Sequence, residues 1–541
     1  MKKFIIMRNA ALLFVVSFFL LSCSKQSELL NVIPKDAPMV VTVNLNSIVE
    51  KGEMKDFVKS PMFATIKKAI TKTNPKPAQF LEEFFSDPSI AGINFKEDIF
   101  MYMTKNGEYF CVSIKLDDAA KLQGILDKMA KEFGAPIKTK KDGEFTMIDE
   151  NSVAIGWNND KFLIVTDTKQ AGGTQEKFKE LMGLSGDNSI TANDDFKEFY
   201  GKKKDINFWM DFAIINANPE VAQMYKMMGL DMTGSTMHVY GEFAQGELVI
   251  SGDMKMTEEF AKKFGNLSKD GLNPALLNML PKNKALAVYS IAINPKEYYN
   301  MIANMFKANP GFNLEQIDQY LKTFIGFKLA DIFNSFGGDF MLSFNGLKTI
   351  QKEVIDYDYT TNDTLRRLET KIIPVLSLHA TVKDDQLLKE LIAKIGPLAK
   401  PRGNNYEITF EGITVYAGVQ NKVLVITNSE DIIDNAAQGF GNNSLASTEY
   451  AELFKTAPVV FYANINYAGY PNDFKEVLYT DPMTAMVMTQ ASPYLDIYDA
   501  IVVQSKKDNT FTGKIKLKDK NVNFMKAVYE NLNTNIPKIP L

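Results

Sequence analysis

LLNMLPKNKALAVYSIAI, Leu276–Ile293, repeats LLNVIPKDAPMVVTVNL, Leu29–Leu45. Leu, Leu, Asn, Pro and Lys fall in one register, with Pro34 and Pro281 separated by 247 positions. In both copies Pro-Lys leads into an apolar, β-branched run that reads as a strand. The chain therefore begins again near its middle.

Landmarks on either side keep the same order. Asp98–Met103 and Glu108–Leu116 are apolar runs joined through Asn106-Gly107, a strong hairpin signal. Asp339–Phe344 and Val375–Ala380 hold the matching places in the second half. Asp117-Asp118 and Asp384-Asp385 each supply N-cap chemistry for a helix. Ile155–Thr166 matches Val415–Thr427, and the hairpin Met237–Met256 matches Ile501–Leu517. An ordered series of this kind points to duplication. Hairpins dominate, so the expected class is α+β: two tandem similar domains, each a mainly antiparallel sheet with helices packed on one face. The expected boundaries are 29–268 and 272–541, the second domain carrying an inserted ribbon at 345–373.

A chain of 541 residues exceeds one ordinary core. With 45% hydrophobic and 23% charged residues it is globular. Its net charge is −4, and nearer −7 once Lys2, Lys3 and Arg8 are removed. Nucleic acid needs a concentrated basic face to displace counterions, so it is not an expected partner.

The first 22 residues have the form of a signal peptide, with a basic start and an apolar run, Ala10–Leu21, too short to span a bilayer comfortably. They end in Leu20-Leu21-Ser22-Cys23, which resembles a bacterial lipobox. Cys23 is the expected lipidation site, and residues 23–28 are the lipidated cysteine and its tether. The expected partner there is the membrane, reached through the lipid. Cys111 is the other cysteine, so with Cys23 acylated no intramolecular disulfide is available. Cys111 sits in an apolar run and reads as a small buried hydrophobe.

No catalytic constellation is concentrated anywhere. His238 and His379 fall in different halves, both in strand-like runs, without Cys or His at ligand spacing. There is no nucleophile elbow and no P-loop. No metal, cofactor or catalytic residue is expected. Carboxylates are abundant, so a hydrolase of envelope or dietary polymer using a carboxylate pair is the alternative reading. Met224, Met227 and Met228 recur at helical spacing, with Met232 and Met237 beyond; Met483, Met486 and Met488 hold the matching place. Core packing is the first reading, a partner-binding or lipid-facing groove the second, and Cu(I) ligation the third.

The halves differ most between Asn345 and Ile373, where the second hairpin carries about 24 extra residues. Glu353–Tyr359 alternates apolar and charged side chains, and Arg366, Arg367 and Lys371 lie on the return leg. That pattern predicts two strands extended as a ribbon with a polar tip. Tyr357, Tyr359, Arg366 and Arg367 are its candidate partner-binding residues, suited to a glycan or a protein.

Lipobox, short tether, the motifs Ile33-Pro34-Lys35-Asp36-Ala37-Pro38 and Leu280-Pro281-Lys282-Asn283, and duplication over residues 29–541 together resemble a known family. It is a family of Bacteroidetes lipoproteins described only as a domain of unknown function, DUF4836. The resemblance implies an envelope lipoprotein and brings no catalytic residue. Surface export in that phylum goes with an acidic run after the cysteine. Ser24–Glu28 holds one acid, so the resemblance implies a periplasm-facing anchor in the outer membrane. The expected function is a lipid-anchored cell-envelope protein acting as a non-catalytic binding or scaffolding module.

Overall fold

The computed structural model describes residues 28–536 apart from 55, 72–76, 134–136, 151, 228–229, 309–312 and 359–362. The signal segment and Cys23 lie outside these. Among the described residues helices and antiparallel strands intermix, an α+β architecture. The chain forms two compact units. The first holds residues up to Gln223, then Met232–Met256, then Asp519 onward; the second holds Met224–Asp231 and Thr257–Lys518.

The first unit contains β1 (Met39–Val43), β2 (Ile99–Met103), β3 (Tyr109–Lys115), β4 (Lys140–Asp142), β5 (Phe145–Glu150), β6 (Val153–Trp157), β7 (Lys161–Asp167), β8 (Ile206–Asp211), β9 (Thr236–Ala244) and β10 (Glu247–Lys255). They pair antiparallel in the order β4-β5-β6-β7-β3-β2-β1-β8-β9-β10. Asn106 and Gly107, between β2 and β3, have φ of 61° and 65°. Four residues separate the closing pair Thr104 and Tyr109, with Gly107 N donating to Thr104 O at 2.9 Å, and the left-handed values at Asn106 and Gly107 suit the two residue types that adopt them most readily.

The second unit contains β11 (Ala287–Ala292), β12 (Phe336–Asp358), β13 (Asp363–Val382), β14 (Ala399–Arg402), β15 (Asn405–Phe410), β16 (Ile413–Gln420), β17 (Val423–Thr427), β18 (Val459–Asn464), β19 (Tyr498–Ser505) and β20 (Thr510–Leu517). Their order is β14-β15-β16-β17-β13-β12-β11-β18-β19-β20. Position for position this is the order of the first unit.

The repeated motif enters each sheet in the same way. Leu29, Leu30, Val32 and Ile33 are buried ahead of Pro34; Leu276, Leu277, Met279 and Leu280 are buried ahead of Pro281. Ile190 N donates to Ile33 O at 2.8 Å, and Leu445 N donates to Leu280 O at 2.9 Å. Lys35 N donates to Asn188 O at 3.0 Å, and Lys282 N to Asn443 O at 2.8 Å.

The expectation of helices on one face of each sheet is corrected. In β3, Tyr109 and Cys111 enter one core with Val40, Leu163, Trp209, Phe178 and Phe199. Val112 and Ile114 enter another with Phe162, Ile48, Phe63, Phe80, Leu122 and Ile125. Helices Thr174–Met182 and Asp194–Gly201 bring Phe178 and Phe199 to the first core. Helices Leu45–Gly52, Pro61–Thr71, Pro77–Ser86 and Ala119–Phe133 cover the other face. The physical reason is visible in YFCVSIK: both parities of the strand are apolar, so both faces must be buried.

The second unit also has two cores, of unequal size. Val288, Met341, Val425, Val460 and Val502 share the large one. Val382, Leu388, Ala417 and Leu424 form the small one. Register partners Leu342, Tyr289, Phe461 and Val503 run across four strands on the less covered face and are exposed.

The compact units depart from the expected boundaries at Met224–Asp231, at Thr257 onward and at the chain's end. Helix Phe524–Asn535 belongs to the first unit. Asn523 caps it by accepting from Met525 N at 2.9 Å and donates Nδ2 to Phe243 O at 2.9 Å. Met62 N donates to Asn533 Oδ1 at 3.0 Å, and Lys526 pairs with Glu53 at 2.7 Å. Phe243, Met62 and Glu53 are all distant in sequence from the helix, which is why no local pattern announces the return. Asn523→Ala is expected to cost about 1–2 kcal/mol in urea unfolding, since it removes both a cap and a carbonyl's partner. An unchanged unfolding midpoint would show that the helix does not support the first unit.

Candidate functional site: a two-stranded ribbon on the second unit

The strands β12 and β13 outrun their neighbours. Pairing of β12 with β11 ends at Phe344, and pairing of β13 with β17 ends at Ser377. Between Phe344 and Leu347 the ladder is interrupted by a bulge at Asn345-Gly346. Gly346 has φ of 119°, open to glycine and strained for any other residue. Asn345 Nδ2 donates to Ser343 Oγ at 2.9 Å and Ser377 Oγ at 3.1 Å, pinning the bulge. Beyond it β12 and β13 pair with each other from Leu347–Pro374 to Asp358–Asp363. Pro374 lacks an N–H and is tolerated at such an edge.

Asn428 fastens the base. Its Nδ2 donates to Pro374 O at 2.8 Å and its Oδ1 accepts from Leu376 N at 2.9 Å. Lys348 Nζ donates to Asn428 O, and Lys352 pairs with Glu411.

Cross-strand register sorts the outer side chains onto two faces. Glu353–Leu368, Ile355–Arg366 and Tyr357–Thr364 pair on one; Val354–Arg367 and Asp356–Leu365 pair on the other. Arg366 lies 3.4 Å from Glu353, and Arg367 lies 2.7 Å from Asp356. The ribbon thus brings Tyr357 and Arg366 together and turns Arg367 away. Tyr359 lies outside the described residues. Ile355, Tyr357 and Leu368 are 58%, 47% and 71% exposed. Leu368 was not singled out from the sequence; only register places it beside Ile355 and Tyr357.

The other candidates resolve as structure. Nε2 of buried His238 lies 2.9 Å from Asp195 Oδ2, which also accepts from Trp209 Nε1 at 2.8 Å. Lys255 donates to Asp195 Oδ1 at 2.7 Å and to Glu198 at 2.7 Å. Burial alone would raise the Asp195 carboxyl, but bonds from His238, Lys255 and Trp209 hold it well below the usual carboxylate range. Burial pushes the Cys111 thiol up to about 12, an inert thiol. The buried carboxylates Asp98, Asp205 and Asp339 pair with Lys203, Lys51 and Lys269 at 2.6, 2.7 and 2.7 Å. Core packing is the first reading for the methionine stretches; it is corrected for Met224, Met483 and Met486, which are exposed, whereas Met232 is buried and Met237 and Met488 are half-buried. Met228 lies outside the described residues.

Fold and site together define a two-unit antiparallel α+β protein whose second unit extends a β-ribbon. The chain belongs to the family described as Domain of unknown function (DUF4836), whose model matches residues 29–525. No curated protein matches it. Among solved structures it has weak likeness to crystal forms I and III of TP0453, at 5% and 8% identity. The likeness covers 43% of this chain and 80% and 81% of those chains, with a TM-score of 0.25 in both cases. Likeness at that level carries no argument.

His379 yields a pH prediction. Neither of its ring nitrogens has a hydrogen-bond partner among the described residues, and burial lowers its pKa to about 3. Unfolded, the imidazole protonates below about 6.5, so the unfolded state takes up the proton first. Stability therefore falls as pH drops from about 6.5 towards 3. Between pH 7 and 5 this group contributes a loss of about 2 kcal/mol. His379→Leu should flatten the pH profile of urea unfolding by that amount; parallel profiles for the two proteins would contradict it.

Proposed function

We propose that this is a lipid-anchored cell-envelope protein acting as a non-catalytic binding module, with the ribbon as its recognition element. The observation that carries the reading is the outer face of β12 and β13, where Ile355, Tyr357 and Leu368 stand exposed beside Arg366. Exposed aliphatic side chains in a polar surround are what a protein contact uses, so a protein partner is favoured over a glycan. The bulge and the Asn428 staple hold this face on a rigid base, which limits the ordering cost of binding. Two similar units would make the protein a tandem of one α+β plan, with the ribbon as the main difference between the copies. The hydrolase alternative needs two carboxylates about 5–10 Å apart in one cleft and is not the reading adopted.

A photo-crosslinking residue placed at Ile355 or Leu368 in cells is expected to capture a protein, whereas Val354 on the opposite face captures none. Tyr357→Ala combined with Leu368→Ala should weaken that complex by about tenfold or more. Replacing residues 345–373 with Thr-Lys-Asn-Gly should abolish capture while leaving the melting temperature within a few degrees. Equal capture from both faces, or loss of the fold on that replacement, would remove the ribbon from the proposal.

The anchor is tested separately. Cys23→Ala should abolish lipid labelling and move the chain from the membrane to the soluble fraction, with its unfolding curve unchanged. Persistent membrane fractionation would refute lipid anchoring at Cys23.

A further inference from the structure

Five methionines from five adjacent strands lie in one row across the first unit's sheet. Met39 on β1 is the register partner of Met103 on β2 and of Met210 on β8. Met210 is in turn opposite Met237 on β9, and Met237 opposite Met254 on β10. Register partners project from the same face, with neighbouring strands about 4.7–5.5 Å apart. All five side chains are half-buried. Their sequence neighbours Trp209 and His238 belong to the opposite face and are buried there.

Ordinary apolar packing does not call for this composition. One step along the same face, the same five strands carry Met101, Val41, Phe208, Val239 and Gly252, a mixed set. The chain has 26 methionines in 541 residues, so five in consecutive register positions are a strong concentration. At the β2 end the row reaches a cavity of about 700 Å³ lined by Met103, Asn106, Lys169, Ile214 and Ala217. Solvent and small ions therefore have a route to it.

We propose that this row is a binding site for a soft monovalent cation of filled d shell, with Cu(I) as the biological case. Thioethers are neutral, polarisable ligands that select such ions over Zn²⁺, Mg²⁺ or Ca²⁺. Met39 is the ligand on which the site turns, because it joins Met103, which lines the cavity, to Met210. Three unbranched side chains from β2, β1 and β8 can converge over the sheet to give a three-sulfur site. The three register partners Met103, Met39 and Met210 supply thioether ligands, and the proposed site is built from these sulfurs.

The test is competition for Cu(I) between the purified full chain and a chromophoric Cu(I) chelator, without oxygen and with ascorbate present, repeated with Ag(I). The wild-type chain should withdraw at least one Cu(I), and X-ray absorption should show sulfur neighbours alone. Met39→Leu should weaken binding by more than about tenfold, since even residues that merely orient ligands cost that much. Met39→Leu with Met210→Leu should abolish it, and Met483→Leu in the second unit should bind as wild type. Leucine conserves volume, and metal-free melting curves verify folding. Failure of the wild-type chain to compete would overturn the proposal without reference to any variant. So would nitrogen or oxygen neighbours around the bound ion, or undiminished binding by folded Met39→Leu.

Discussion

Each sheet depends on a backbone exchange at the entry of its central strand. Ile33 O accepts from Ile190 N and Lys35 N donates to Asn188 O; Leu280 O accepts from Leu445 N and Lys282 N donates to Asn443 O. The proline between each acceptor and donor has no N–H to satisfy, so it fits this gap without loss. Four apolar side chains ahead of each proline are buried and fix the angle at which the chain enters. From there β1 and β11 each take a strand on both sides, and the rest of each ten-strand order extends outward from those pairings.

Burial on two faces follows from the strands themselves. When both parities are apolar, a sheet needs cover above and below, and the first unit supplies it with helices from several parts of the chain, including its last one. Buried polar groups are tolerated where partners converge on them, as at Asp195, which takes bonds from an indole, an imidazole and an ammonium. His379 is the counter-example, a buried imidazole whose nitrogens find no partner among the described residues.

The ribbon shows how far local sequence can be read. Alternation in Glu353–Tyr359 is a strand signal with period two, and basic residues on the return leg supply its cross-strand ion pairs. Which arginine shares a face with Tyr357 depends on register, and register is set by the bulge at Asn345-Gly346. One residue's slip would exchange Arg366 for Arg367. The methionines follow the same logic. Met224 and Met483 have neighbours at helical spacing and stand exposed, whereas Met39, Met103 and Met210 are far apart in sequence and meet only through strand register.

Periodicity, turn chemistry and self-similarity were sufficient for the α+β class, the tight turn at Asn106-Gly107, the helix cap at Asp118 and the family. These depend on residues a few positions apart, or on one stretch resembling another. The tertiary structure alone decided which side chains meet across strands, which helices cover each face of the first sheet, and that Phe524–Asn535 returns to Phe243, Glu53 and Met62. Those contacts join residues scores to hundreds of positions apart, and the free energy that selects them is the burial of whole faces, which no short window of sequence contains.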